Sequence, residues 1–138
     1  MSPSGPSLGG RREDREEALS FLYETEMTGT SISEALSNRD LPPEDFALLM
    51  IEGVANDSQA IDAILSANLH GWRLQRMAIV DRVIARMATW ELMSTNVPTG
   101  AALSEAVELA TQYCGEESPR FLNGVLRSVA NELRPNEA

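Results

Sequence analysis

Lysine is absent from this 138-residue chain, and histidine and cysteine occur once each, as His70 and Cys114. Each shortage removes a class of chemistry. Without lysine there is no G-x-x-x-x-G-K-[ST] phosphate loop. A single cysteine cannot form a disulfide within the chain. One histidine and one cysteine, 44 positions apart, do not make a clustered ligand set for a metal ion, and no acidic EF-hand loop takes their place. No apolar run is long enough to span a bilayer. The opening stretch, Met1-Ser2-Pro3-Ser4-Gly5-Pro6-Ser7-Leu8-Gly9-Gly10, has neither the basic nor the apolar region of a secretory signal. These absences lead to the expectation of a cytoplasmic protein, with no cofactor and no metal, that binds other molecules and is not an enzyme.

What is present is acidic. The formal net charge is −10, which argues against a protein that coats nucleic acid with a basic surface. The charge is uneven: residues 1–69 hold 13 acids and 4 arginines, and residues 70–138 hold 8 acids and 7 arginines. Every basic site is therefore an arginine, whose planar fork can grip a phosphate in two places.

The length suits one domain, burying roughly two-thirds of its unfolded surface. Residues 1–10 are rich in Ser, Gly and Pro and read as a flexible tail. A helical pattern begins at Arg11, with Ala18, Leu19, Leu22 and Tyr23 at helical spacing, and Gly29 ends it. Ser31 with Glu34 fits a capping box for a short second helix. After Pro42-Pro43 one long third helix is predicted, with Phe46, Leu49, Met50, Val54, Ile61, Ile64 and Leu65 as its stripe and His70-Gly71 as its stop. His70 there reads as a helix C-terminal residue stabilised by the dipole. A fourth helix, from about Gln75 to Met93, is apolar around so much of its circumference that it should be central. Thr99 to Tyr113 forms a fifth. Ser118 and Pro119 supply the N-cap and first turn of a sixth, and Arg134-Pro135 ends the domain at 134, leaving 135–138 as a tail. No segment alternates at period two, so the fold class is all-α.

Two clusters stand out. On a helix, Arg11, Arg15, Ala18 and Leu22 share a face, and Arg12 flanks them. The arginines then extend the core-facing stripe beyond the core, where they could overhang a groove able to hold a phosphate backbone. The ordinary alternative is a charged helix start, and the interleaved Glu13, Asp14, Glu16 and Glu17 support it. The second cluster is Ser118-Pro119-Arg120-Phe121-Leu122-Asn123-Gly124. An arginine beside a phenylalanine at a helix start could hold a base by charge and stacking, or Phe121 could simply lie in the core. Gly124 costs about 1 kcal/mol of helix propensity, and such a glycine usually admits a neighbouring helix. Cys114 reads as a buried structural thiol.

Across about residues 10–134 the chain resembles the NusB family of transcription antitermination factors. Three stretches carry the likeness. Arg11-Arg12-x-x-Arg15-Glu16-x-Ala18-Leu19-x-x-Leu22-Tyr23 is similar to the family's opening helix. Val80-Asp81-Arg82-x-Ile84-x-Arg86-Met87-Ala88-x-Trp90-Glu91-Leu92 is similar to its central helix. Glu105-Ala106-Val107-Glu108-Leu109-Ala110, followed by Ser118-Pro119-Arg120-Phe121-Leu122-Asn123-Gly124-Val125-Leu126, is similar to its closing pair.

The resemblance implies a compact bundle of six to seven helices, arranged as two packed three-helix bundles. It implies binding to a boxA-type RNA together with NusE, a small-ribosomal-subunit protein, in a complex that modifies transcribing RNA polymerase, especially on ribosomal RNA operons. It places RNA contacts at Arg11, Arg12, Arg15, Glu117, Ser118, Arg120 and Phe121, and a NusE-facing surface at Tyr23, Met27 and Asp81. Arg86, Glu105 and Asn123 take structural roles. Where the family's opening motif tends to be basic or small, this chain has Glu13, Asp14 and Glu17. Those acids predict weak RNA binding without NusE, or a protein-interaction module of the same fold with little RNA affinity.

Overall fold

The computed structural model describes residues 8–137, with side chains described from Arg11 onward. Residues 1–7 of the expected tail lie outside the described residues, and so does Ala138. Among the described residues there are seven α-helices, two short 3-10 turns and no strand. The helices are α1 (Leu8–Thr28), α2 (Ile32–Ser37), α3 (Asp45–Asn56), α4 (Ser58–Ala67), α5 (Ile79–Ser94), α6 (Thr99–Tyr113) and α7 (Ser118–Leu133). None is long and apolar enough to cross a membrane.

The expected helix starts and stops have physical causes in the structure. Gly29 takes φ +73°, a left-handed conformation open to glycine at little steric cost, and its N–H bonds to the Thr25 carbonyl. Ser31 caps α2, its hydroxyl accepting from the Glu34 N–H at 3.0 Å. Four boundaries differ from the sequence reading: α1 begins at Leu8, inside the stretch expected to be a flexible tail, and three others follow. The long third helix is two helices, broken at Asp57. Because Val54 and Ile61 are seven residues apart, both remain buried and the apolar period runs through the break. The polar triplet Asn56-Asp57-Ser58 is the signal for it. His70 lies three residues beyond the end of α4, exposed and at φ +46°, so it does not sit at a helix C-terminus.

The fourth predicted helix starts at Ile79 instead of Gln75. Leu74–Arg76 form a 3-10 turn, and Met77 and Ala78 are extended. Arg82 accounts for this: its Nη1 lies 3.5, 3.2 and 3.5 Å from the carbonyls of Leu74, Gln75 and Met77, holding them out of a helical ladder.

Helix α5 is the axis of the molecule, packing against α1, α3, α4, α6 and α7. Nine of its residues, from Val83 to Leu92, are buried. With α6 and α7 it forms one three-helix bundle, and α1, α3 and α4 cover its other side. Trp90 of α5 lies directly on Gly53 of α3, where a Cβ would collide with the indole ring. That glycine admits the close helix approach which the sequence reading assigned to Gly124. Gly124 is exposed and has nothing within 4 Å of where its Cβ would lie.

The carbonyls at the end of α5 need partners once buried. Arg134 supplies them, donating to Leu92 and Glu91 from α5 and to Thr95 and Val97 beyond it. Asn68 joins α4 to α7, donating to Glu132 at 2.9 Å and accepting from Ser128 at 2.6 Å.

Candidate functional site

The three arginines of α1 share a helix end but not an environment. Arg15 is 3% exposed, and Glu91 of α5, opposite it, is 2% exposed. Their bond is bidentate, with Nε at 2.6 Å and Nη2 at 3.0 Å from the two carboxylate oxygens. The shared face of Arg11, Arg15, Ala18 and Leu22 therefore runs into the core at Arg15 and does not overhang a groove. This corrects the placement expected for Arg15, which has almost no surface to offer a ligand. Neither Arg15 nor Glu91 could be buried alone, because an unpaired charge in the interior is too costly.

Arg12 turns toward α6. Its Nε and Nη2 bond to the two oxygens of Glu105 at 3.1 and 2.8 Å, while its side chain stays 50% exposed. The hydrogen bond and the nearby guanidinium hold the Glu105 carboxyl below its usual range, against the opposite push of burial. Arg12 is raised by the same bond. A guanidinium has five N–H donors, so those not used on Glu105 can still take an anion from the solvent side. Arg11 lies over the ring of Phe46, 4.4 Å from its centroid. Such a cation–π contact fixes the charge without neutralising it.

The interleaved acids are mostly directed elsewhere. Glu16 accepts from the Tyr113 hydroxyl at 3.3 Å. Glu17 accepts from Arg39 at 3.2 Å and from the Glu44 N–H at 3.4 Å, just before α3. Asp14 lies near the start of α3; burial first, and then Glu17 and Glu44, push its pKa up, against the opposing pull of the Phe46 N–H. Glu13 alone among them is exposed with no such partner among the described residues. The acids that looked like neighbours of the arginines in sequence are largely ties between helices.

A path leads from these arginines to the start of α7. Side chains bridge α1 to α6 at two points, Arg12 to Glu105 and Glu16 to Tyr113, in the same order along both helices. Glu105 and Tyr113 lie roughly 12 Å apart along α6 at 1.5 Å per residue. Beyond Tyr113 the chain turns through Cys114 and Gly115 into a cleft of about 770 Å³, lined by Trp72, Arg76, Asp81, Glu117, Ser118, Arg120 and Phe121 among others. Four expected RNA residues therefore meet in one place. The N-cap position belongs to Glu117, without a side-chain cap bond, and not to Ser118. The Ser118 hydroxyl instead donates to Asp81, tying α7 to α5. Half-buried Cys114 lies beside that carboxylate, and burial together with Asp81 pushes its thiol up to about 12, so it stays protonated and unreactive.

Tyr23 and Met27, at 40% and 55% exposure, stand on the outer face of α1. Tyr23 lines a smaller groove of about 390 Å³ with Val80 and Tyr113. Asp81 faces the α7 cleft with Ser118, apart from the groove that Tyr23 lines. The two grooves flank the first turn of α5, one at Val80 and one at Asp81. Trp72 and Arg76 line the same cleft and were not picked out from the sequence. Trp72 falls between the two expected helices and Arg76 inside the start of the second; the signal for them is a tryptophan beside arginines, Trp72-Arg73 and Arg76, in a short connecting stretch.

The residues 12–131 match the NusB family. The transcription antitermination protein NusB of Pseudarthrobacter chlorophenolicus is 40% identical over 134 residues, covering 94% of this chain and 98% of that protein. Among solved structures, T. maritima NusB is 30% identical with a TM-score of 0.78, covering 94% of each chain. A crystal structure of antitermination factors NusB and NusE in complex with dsRNA aligns with a TM-score of 0.74 at 22% identity, over 88% of this chain and 96% of that one; this is a likeness of fold.

Proposed function

Given that this chain belongs to the NusB family, we propose that it is a transcription antitermination factor that binds boxA-type RNA jointly with NusE and modifies elongating RNA polymerase, notably on ribosomal RNA operons. It acts in the cytoplasm by binding, with no catalytic step. The observation that carries the reading is the cleft that gathers Glu117, Ser118, Arg120 and Phe121, with the arginine-bearing end of α1 tied to α6, the helix that leads into it. Phosphates meet Arg11, Arg12 and Arg120, and a base stacks at Phe121. Arg15 acts from the interior, fixing the α1 end on which Arg11 and Arg12 stand. NusE meets the outer face of α1 at Tyr23 and Met27, and Asp81 borders both partners.

The electrostatics make RNA binding weak in isolation. Of the three α1 arginines, two are paired with carboxylates, and Arg11 is the one without such a partner among the described residues. That pairing also favours a second reading, a NusE-binding module with little affinity for RNA. A titration with single-stranded boxA-type RNA, with and without NusE, separates the two. Three phosphate contacts give a log–log salt slope of about −2, and Arg11→Ala with Arg12→Ala should reduce it by about 1.4. An unchanged slope removes both arginines from the interface, and NusE binding without any gain from RNA establishes the second reading.

A further inference from the structure

The α7 cleft has a second wall, formed by the segment between α4 and α5. Trp72 stands on it 61% exposed, an unusual place for a large aromatic side chain, and meets Phe121 edge-on with ring centroids 5.5 Å apart at 66°. The segment is held firmly. His70 at φ +46° and Gly71 at φ +96° turn the chain just before the tryptophan, two successive left-handed residues of types that adopt this conformation more readily than most. Arg82 then clamps the carbonyls of Leu74, Gln75 and Met77, while its Nη2 bonds to Glu26 of α1 at 3.0 Å. The segment therefore holds the indole outward in a fixed place, where its π-face is free to meet a partner.

The charges around it narrow the occupant. Arg12, Arg15, Arg39, Arg82, Arg86 and Arg134 all have carboxylate partners within 4 Å, whereas Arg76 and Arg120, both on this cleft, have none among the described residues. Glu116, Glu117 and Asp81 share the lining. A bare phosphate would be repelled by these acids, and an apolar ligand would leave the arginines unused. A nucleotide of a single strand uses every feature: its π-face on the indole, its phosphate on an arginine, and its amino or imino N–H groups on the carboxylates.

We propose that Trp72 is a base-stacking platform for single-stranded RNA, with Arg76 as its phosphate contact, opposite the Phe121 and Arg120 wall. The inference rests on the RNA-binding reading above and extends it to a segment outside that set. Arg82 acts as a positioning residue, setting the register of the Trp72 segment.

The test is a titration of the full chain, loaded with NusE, with a 12-nucleotide boxA-type RNA. Trp72→Leu keeps an apolar side chain but loses the π-face, and should weaken RNA binding roughly 5- to 150-fold, the effect of one base–aromatic stack, with the salt slope unchanged. Arg76→Gln should reduce that slope by about 0.7. Trp72→Phe should restore most of the affinity. In the wild type, RNA should quench tryptophan emission, and Trp72→Phe should abolish the quench, since Trp90 is buried. Phe121→Leu tests the underlying reading. If Phe121→Leu weakens binding while Trp72→Leu does not, this proposal is wrong and the reading stands. If the wild type binds no RNA, both fall. If Trp72→Leu weakens NusE binding but not RNA binding, the wall is a protein contact and the proposal is overturned.

Discussion

Removing Arg15 should cost far more stability than its place in an arginine-rich helix start suggests. Arg15→Met leaves the Glu91 carboxylate 2% exposed with neither of its two guanidinium bonds. Breaking a buried pair from one side typically costs about 3–5 kcal/mol. For a chain of this size, 1 kcal/mol moves Tm by about 3–5 °C, so the expected drop is on the order of 10–20 °C. The double variant Arg15→Met with Glu91→Leu removes both charges and replaces them with side chains of similar volume. It should regain most of the loss, because the desolvation cost of each ion vanishes along with their attraction. Thermal and urea unfolding of wild type, both single variants and the double variant complete the cycle. The same double variant separates support from contact. If Arg15 acts only from the interior, the folded double variant keeps the wild-type salt slope for RNA. A slope lower by about 0.7 would show that Arg15 neutralises a phosphate and would refute the assignment.

Two glycines should respond in opposite directions. Gly53→Ala drives a methyl group into the Trp90 indole and should destabilise by about 1–3 kcal/mol. Gly124→Ala, exposed in the interior of α7 with free space around it, should stabilise by up to about 1 kcal/mol. Urea midpoints of the two variants check both signs. Acid should weaken the Arg12–Glu105 tie. Glu105 has a folded pKa below its ordinary 4.5, so its contribution is fully present above that value and is lost as pH falls through the lower folded pKa. Asp14 has the opposite sign: its raised pKa means that protonation above pH 3.8 relieves a cost and offsets part of the loss. Below pH 4.5, Glu105→Gln should therefore lose stability less steeply than wild type, and parallel pH profiles would rule the tie out.

Much of this molecule is already contained in the one-dimensional pattern. The 3.6-residue period of Val80, Val83, Ile84, Met87, Ala88 and Leu92 identifies a central helix, because a helix apolar nearly all round can only be an interior one. Gly29, Ser31 and Pro119 mark ends through local backbone chemistry, which needs no knowledge of neighbours. The absence of lysine and the lone cysteine depend on residue identity alone and exclude classes of chemistry, while the three stretches of family likeness supplied the expectation of a partner that composition left open.

Tertiary structure alone decided what each charge does. Arg11, Arg12 and Arg15 are near-equivalent in sequence, yet one lies over Phe46, one is half-exposed on Glu105, and one is buried on Glu91, 76 positions away. The helix break at Asp57 left the apolar period intact, so periodicity could not register it. Gly53 and Gly124 look alike in a helical stripe, and only the position of Trp90 shows which one permits close packing. The cleft that joins Trp72 to Phe121 brings residues from two distant segments together. Charge pairing, close helix contact and cleft formation are long-range events, and the local periodicity of a chain carries no record of which distant side chain completes them.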